Sequence, residues 1–239
     1  KAASAYGGNR ALSIESLNIK PGEKIAVIGP VGAGKTTLLR LLSGMYKPQE
    51  GRVLLDGVDM AQISKPVLAE RIGYLQQDGR LFSGTLRDNL VLGMIDPGDD
   101  AILEAARRTG LMEAVIAPHP KGLQQDIAEG GTGLSGGQRQ LVNLTRVFLR
   151  RPRIWLLDEP TASMDGRLEQ QVLQTLRATL GPQDTLVVVT HKPELLALTT
   201  RLIVVAQHRI TMDGPIAQVL QQMRERKPAP QALVEEQAA

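Results

Sequence analysis

The chain has 239 residues, 42% hydrophobic, 22% charged and 3% aromatic, a globular balance that excludes general disorder. No run of about 18 or more apolar residues is present, so no segment reads as a membrane-spanning helix, and the first ten residues lack the apolar core of a signal peptide. A net charge of +3, from 28 Lys and Arg against 25 Asp and Glu, is too small to point to nucleic acid, and the lack of cysteine excludes disulfides, thiolate nucleophiles and cysteine-based zinc sites.

In chain order, Leu12, Ile14, Leu17 and Ile19 mark an early strand region closed by the turn Pro21-Gly22. Residues 25–28 form a short continuous apolar run, as a buried parallel strand does. A glycine-rich turn follows, and then a helix over 36–46 with Leu38, Leu39, Leu41 and Leu42 as its apolar face. A strand is expected over 52–55, ending at Asp56-Gly57. From about 85 to 151 the pattern is mostly helical, with one helix over 101–109 stopped by Gly110 and another carrying Leu141, Leu144 and Phe148 on one face. After Pro152, strands return over 154–157, 186–189 and 202–206. The arginines at 107–108 and at 150, 151 and 153 read as solvated faces. The alternation predicts an α/β fold: one domain over 1–225, interrupted by a helical subdomain at about 85–151, and a loose tail over 226–239. The chain starts at Lys1 and runs directly into patterned sequence, as a piece of a longer polypeptide would.

The turn after the first buried strand reads Gly29-Pro30-Val31-Gly32-Ala33-Gly34-Lys35-Thr36, followed by Thr37. It fits the phosphate-binding pattern G-x-x-x-x-G-K-[ST] in the strand-to-helix context that the pattern requires. Glycines let successive backbone N–H groups face phosphate oxygens, and the helix N-terminus adds free donors. Lys35 supplies a charge for the β- and γ-phosphates, and Thr36 a hydroxyl for Mg²⁺. The pattern arises by chance in roughly one chain in a hundred of this length. Asp158 and Glu159 end the apolar run 154–157, at the strand end where ligands of open α/β sheets bind. Asp158 is placed to hold Mg²⁺, and Glu159 to act as general base toward water. His191 follows another such strand and is positioned to contact the γ-phosphate and orient the water. His119 and His208 lack such a context.

The segment Leu134-Ser135-Gly136-Gly137-Gln138 opens the helix bearing Leu141. Ser135 is a good N-cap, and the two glycines leave bare N–H groups for a second anion site. Two anion sites on different subdomains point to a nucleotide shared between two copies.

Together these segments resemble the nucleotide-binding domain of ABC transporters over about residues 6–222. The resemblance implies a RecA-like P-loop core with an N-terminal antiparallel β portion and an inserted helical subdomain. It implies that ATP and Mg²⁺ are bound, and that ATP is sandwiched between residues 29–37 of one copy and Ser135, Gly136, Gly137 and Gln138 of another. Tyr74-Leu75-Gln76-Gln77-Asp78 resembles the family's Q-loop, with Gln77 as its glutamine near Mg²⁺ and Gln76 where many relatives have proline. Ser163-Met164-Asp165 resembles the D-loop, His191 matches the switch histidine, and Tyr6 is the candidate for stacking on adenine. The strand that normally precedes Tyr6 is missing from this chain. Residues 81–89, with the motif Thr85-Leu86-Arg87-Asp88-Asn89, and Ala128-Glu129-Gly130-Gly131 are similar to segments of exporters. Residues 29–34, 163–165 and 190–196 are most similar to type I secretion ATPases, which export unfolded proteins from Gram-negative bacteria. That kinship implies a transmembrane domain N-terminal in the same polypeptide, a periplasmic adaptor, an outer-membrane channel and a place on the cytoplasmic face of the inner membrane. Thr145-Arg146 departs from the usual Ala-Arg-Ala, and Lys192 from the commoner Arg.

Rival readings are weaker. Chromosome and DNA-repair ATPases share these motifs but carry a long coiled coil between them, and residues 36–133 leave no room for one. A translation factor with paired domains needs a second phosphate loop. A degenerate regulatory domain is at odds with intact Glu159, His191 and Ser135–Gln138.

Overall fold

In a computed structural model of the chain, the structure describes residues 2–6 and 9–225, with side chains from Ala11 onward. The expected tail at 226–239 and the side chain of Tyr6 lie outside the described residues. The chain opens with β1 (Ala2–Tyr6) and β2 (Asn9–Ile14), then enters the core through β3 (Lys24–Ile28) and α1 (Lys35–Leu42). Next come β4 (Glu50–Gly51), β5 (Leu54–Leu55), β6 (Val58–Asp59), α2 (Lys65–Arg71) and β7 (Ile72–Leu75). The helical middle holds β8 (Gly84–Thr85), α3 (Leu86–Val91), α4 (Asp99–Thr109), β9 (Asp126–Ile127) and α5 (Gly136–Arg150). The last third alternates β10 (Ile154–Asp158), α6 (Gly166–Thr179), β11 (Thr185–Val189), α7 (Pro193–Leu196), β12 (Arg201–Ala206), β13 (Arg209–Pro215) and α8 (Ile216–Glu225).

Among the described residues, nine strands form one sheet in the order β4-β1-β2-β13-β12-β3-β11-β10-β7. The run β12-β3-β11-β10-β7 is parallel throughout. β1 pairs antiparallel with β2 and β4, and β13 antiparallel with β12. This is the expected P-loop α/β core with an antiparallel N-terminal portion. The register sets Asp158 opposite Val189, and Val189 opposite Val27. The carboxyl ends of β10, β11 and β3 therefore lie side by side, and the motif residues that follow them converge.

The parallel strands read as unbroken apolar runs because both faces are covered. Trp155, Leu157, Leu186 and Val188 face the cluster built by α5 with Leu141, Leu144 and Phe148. Leu156, Val187 and Val189 face the opposite cluster with Leu38, Leu39 and Leu41 of α1. Each such side chain contributes about 1.5–3 kcal/mol by leaving water. Phe148 meets Trp155 edge-on, with ring centres 5.2 Å apart.

Several boundaries differ from expectation. α1 ends at Leu42 rather than residue 46, because Gly44 turns the chain at φ 74. Of the strand expected over 52–55 only Leu54 and Leu55 form one, β5, which pairs with β6; Arg52 and Val53 are irregular chain after β4. The early strand stops at Ile14, and Leu17 and Ile19 pack on the α1 cluster from irregular chain. Arg150 is not a solvated residue: its guanidinium donates to the carbonyls of Ala69, Leu92 and Gly93, and burial lowers its pKa. The departure at Thr145 also has a structural reason. Its hydroxyl is buried and bonds that of Thr109 at 2.7 Å, which joins α5 to α4; an alanine there would leave Thr109 without this partner.

Candidate functional site

The phosphate-binding turn leaves β3 at Gly29, where a side chain would collide with the Val205 carbonyl. At Gly34, φ is 109 and an added Cβ would stand 2.8 Å from the Ala11 carbonyl. Only glycine meets both requirements. No side chain caps α1, whose N-cap is Gly34, so its first N–H groups are free donors. The Lys35 ammonium lies across the loop and donates to the carbonyls of Gly29 at 2.7 Å and Pro30 at 2.9 Å. Val31 projects fully into solvent at the tip, while Ala33 is buried.

Asp158 is 1% exposed, and its Oδ2 has no hydrogen-bond partner. A buried carboxylate oxygen left bare is costly unless a cation or water takes it. Burial raises its pKa, against the pull of the Thr36 hydroxyl, Lys35 and Arg40. Arg40 is fixed behind the site by Tyr46: Nη1 donates to its hydroxyl at 2.8 Å, and the guanidinium lies 5.2 Å from its ring centre. The bare Oδ2 and the nearby Thr36 hydroxyl are hard oxygen donors of the kind Mg²⁺ prefers, and they would suit it. Among the described residues, no three acidic or histidine side chains form a protein-only metal cage.

Glu159 follows in a left-handed conformation at φ 49, which costs a non-glycine residue about 1–3 kcal/mol. Its N–H donates to Val189 at 2.9 Å, its carbonyl accepts from Gln140 Nε2 at 2.6 Å, and its Oε1 lies 3.8 Å from His191 Nε2. Burial raises the Glu159 pKa, and His191 draws it back most strongly. Lys192 ties the strand end at His191 to the loop after Glu159. Its Nζ meets Glu169 Oε1 at 2.7 Å and the Thr161 carbonyl at 3.0 Å. A half-buried carboxylate, an imidazole and an ammonium at the ends of three parallel strands can position water against a bound phosphate and take its proton.

The other expected residues are placed as follows. Gln77 is exposed beyond β7, and the neighbouring Asp78 adds negative charge near Asp158. Thr37 lies in the first turn of α1. Ser135 and Gln138 form a reciprocal capping box at the start of α5, and Gln138 Nε2 also donates to Ala114. The Asp165 carboxylate caps α6 through Leu168 N–H at 2.9 Å. Gln138 and Asp165 thus hold structural bonds within their own chain. Among the described residues, no hydrogen bond or ion pair joins Ser135, Gly136 or Gly137 to residues 29–37. The structure therefore brings Lys35, Thr36, Asp158, Glu159 and His191 together, while the second glycine site packs on the loop after Glu159 and makes no bond to the phosphate-binding turn.

Sequence reasoning missed Gln140, Lys192 as a tether, and Arg40. Gln140 carried a signal: it is a polar residue at the helical spacing of Gly137, Leu144 and Phe148, on a face that is otherwise apolar.

The sequence profile of the family described as ABC transporter matches residues 12–162. A mycobactin import ATP-binding/permease protein of Mycolicibacterium thermoresistibile is 36% identical over 218 residues, covering 90% of this chain and 37% of that protein. An ATM1-type heavy metal exporter of Novosphingobium aromaticivorans is 35% identical over 199 residues, covering 83% and 32%. The structure of a bacterial Atm1-family ABC exporter with ATP bound superposes with a TM-score of 0.85 at 32% identity, covering 92% of this chain and 39% of that one. The chain thus spans 32–39% of the length of these relatives.

Proposed function

The chain belongs to the ABC transporter family, as an ATPase domain of it, and from that premise we propose that two copies clamp two ATP molecules and drive an exporter by hydrolysing them. One observation carries the reading: Glu159 and His191 stand with Lys35 and Asp158 at adjoining strand ends, while the glycines of Ser135–Gly137 open a separate helix. A single chain holds both halves of a site and does not close them on each other.

Residues 29–37 wrap the phosphates, with Lys35 moving from the loop carbonyls to the β- and γ-oxygens. Thr36, Asp158 and Gln77 hold Mg²⁺, which when bound neutralises phosphate charge. Glu159 accepts the proton of a water whose oxygen attacks the γ-phosphorus as the bond to the ADP oxygen breaks. His191 orients that water and contacts the γ-phosphate. Ser135, Gly136, Gly137 and Gln138 of the second copy cover the nucleotide, Asp165 lies at the junction, and Tyr6 stacks on adenine.

Among the described residues, no helix is long and apolar enough to cross a membrane, so the export path belongs to a transmembrane domain, proposed N-terminal in the same polypeptide. A docking face for it is at hand. The Ser83 N–H donates to Glu129 Oε2 at 3.3 Å and the Gly130 N–H to the Leu81 carbonyl at 2.9 Å, which unites the two exporter-like segments beside the exposed Phe82, Leu92 and Ile95. The seat proposed for the domain is the cytoplasmic face of a bacterial inner membrane. The relatives, named for mycobactin, fatty acids and heavy metals, favour a small lipophilic or metal-bound cargo. Residues 29–34, 163–165 and 190–196 support the second reading, type I protein secretion with a periplasmic adaptor and outer-membrane channel.

The test is the size of the Glu159→Gln protein by light scattering. A dimer with Mg-ATP and a monomer with Mg-ADP are expected. A monomer in both, with ATP shown to be bound, contradicts the clamp.

A further inference from the structure

The start of α5 lies directly against the loop 159–165, and Gln140 joins the two. Gln140 is 8% exposed, on a helix whose neighbouring Leu141 and Leu144 are fully buried. A primary amide in such a place costs free energy unless both of its ends are bonded. Both are: Nε2 donates to the Glu159 carbonyl at 2.6 Å, and Oε1 accepts from the Ser163 N–H at 3.1 Å. Gly137, one turn earlier, permits the approach, because a Cβ there would stand 2.5 Å from the Ser163 carbonyl.

The residue that Gln140 grips is the strained one. Glu159 keeps φ 49 only because its surroundings fix the peptides on either side. Val189 holds its N–H, and Gln140 holds its carbonyl. The side chain leaves the backbone between these two anchors, so their geometry decides where the carboxylate points. Lys192 steadies the far side of the same loop at the Thr161 carbonyl.

We infer that Gln140 is a positioning residue: by holding the Glu159 carbonyl and the Ser163 N–H it fixes the left-handed turn that aims the Glu159 carboxylate at the attacking water. This rests on the reading of Glu159 as general base. It also means that the helix presenting Ser135–Gly137 to a second copy sets the base of its own chain.

Two variants test it. Gln140→Met removes both bonds at similar volume. Gln140→Glu keeps an acceptor for Ser163 but, when ionised, has no donor for the Glu159 carbonyl. Each is expected to lower kcat roughly 10–100-fold, the scale of a misplacement near 1 Å, while affinity for a fluorescent ATP analogue stays at the wild-type value and Tm falls modestly, because two buried groups lose their partner. The deciding measurement is single-turnover hydrolysis in the Glu159→Gln background. There, adding Gln140→Met is expected to cost nothing further, because no base remains to be misplaced.

The same fold-loss in both backgrounds would show a merely structural role and overturn the inference. Unchanged kcat in the single variants, or a parallel loss of nucleotide affinity, would do so too. If Gln140→Met fails to fold, Gln140→Glu carries the same comparison. Failure of the underlying reading looks different: Glu159→Gln alone would then turn over at the wild-type rate, whatever Gln140 does.

Discussion

Glu159→Gln keeps ATP binding and loses roughly 10²–10⁴-fold in turnover, the usual contribution of a general base. The amide matches the carboxylate in size and can still sit 3.8 Å from His191, but it cannot take the proton of the attacking water. The wild-type rate should also report the environment of the carboxyl. Burial raises its pKa above the usual glutamate range, and the base acts only when ionised. Activity is therefore lost as pH falls through that raised value, earlier than for an exposed glutamate. Stability runs the opposite way, because the folded state takes up this proton before the unfolded chain does. The ionised carboxylate thus costs stability at neutral pH, and the cost is relieved as pH falls through the folded pKa. Steady-state ATPase rates at saturating Mg-ATP across pH check the activity, and Tm across the same pH range checks the stability. Turnover near wild type in the variant contradicts the assignment.

Lys35→Ala is expected to lower ATP use roughly 10²–10³-fold, as removal of one preorganised donor to a transferring phosphoryl group does. The ammonium is already held inside the loop by the Gly29 and Pro30 carbonyls, so its loss removes both the charge and a brace of the turn. The check is ATPase rate and binding of a fluorescent ATP analogue beside wild type. An unchanged rate would remove the phosphate-loop assignment.

Much of this site is legible in the sequence for a physical reason. A phosphate loop needs glycines at fixed offsets, and buried parallel strands need unbroken apolar runs, so residues 29–36 and 154–159 identify themselves. α4 ends at Gly110, as expected, since that residue takes φ 86. β13 was hidden because its faces alternate between exposed and half-buried, giving no apolar run. β7 is only four residues long and contains Gly73, which a Val147 methyl and the Pro152 ring crowd too closely for any side chain. The left-handed turn at Glu159 was invisible because it is imposed by partners distant in sequence, Val189 and Gln140, rather than by a local glycine. Gln138 and Asp165 match motif positions, yet both are also ordinary helix caps, a role that short spacing alone allows.

Whether one nucleotide is shared by two chains is decided most directly by mixing two inactive variants. Lys35→Ala breaks the phosphate loop, and Ser135→Arg fills the glycine site at the start of α5. Each homodimer then has two damaged sites. In the mixed dimer one site carries both faults, and the other pairs the intact loop of the Ser135→Arg chain with the intact helix start of the Lys35→Ala chain. With free assortment half of the dimers are mixed and each keeps one good site, so recovery reaches at most about one quarter of the wild-type rate. ATP occlusion is scored alongside hydrolysis, because a damaged site can hinder closure of its neighbour. The account predicts that mixing restores ATPase activity or occlusion; mixed dimers proven by crosslinking that show neither signal at any ratio would contradict it.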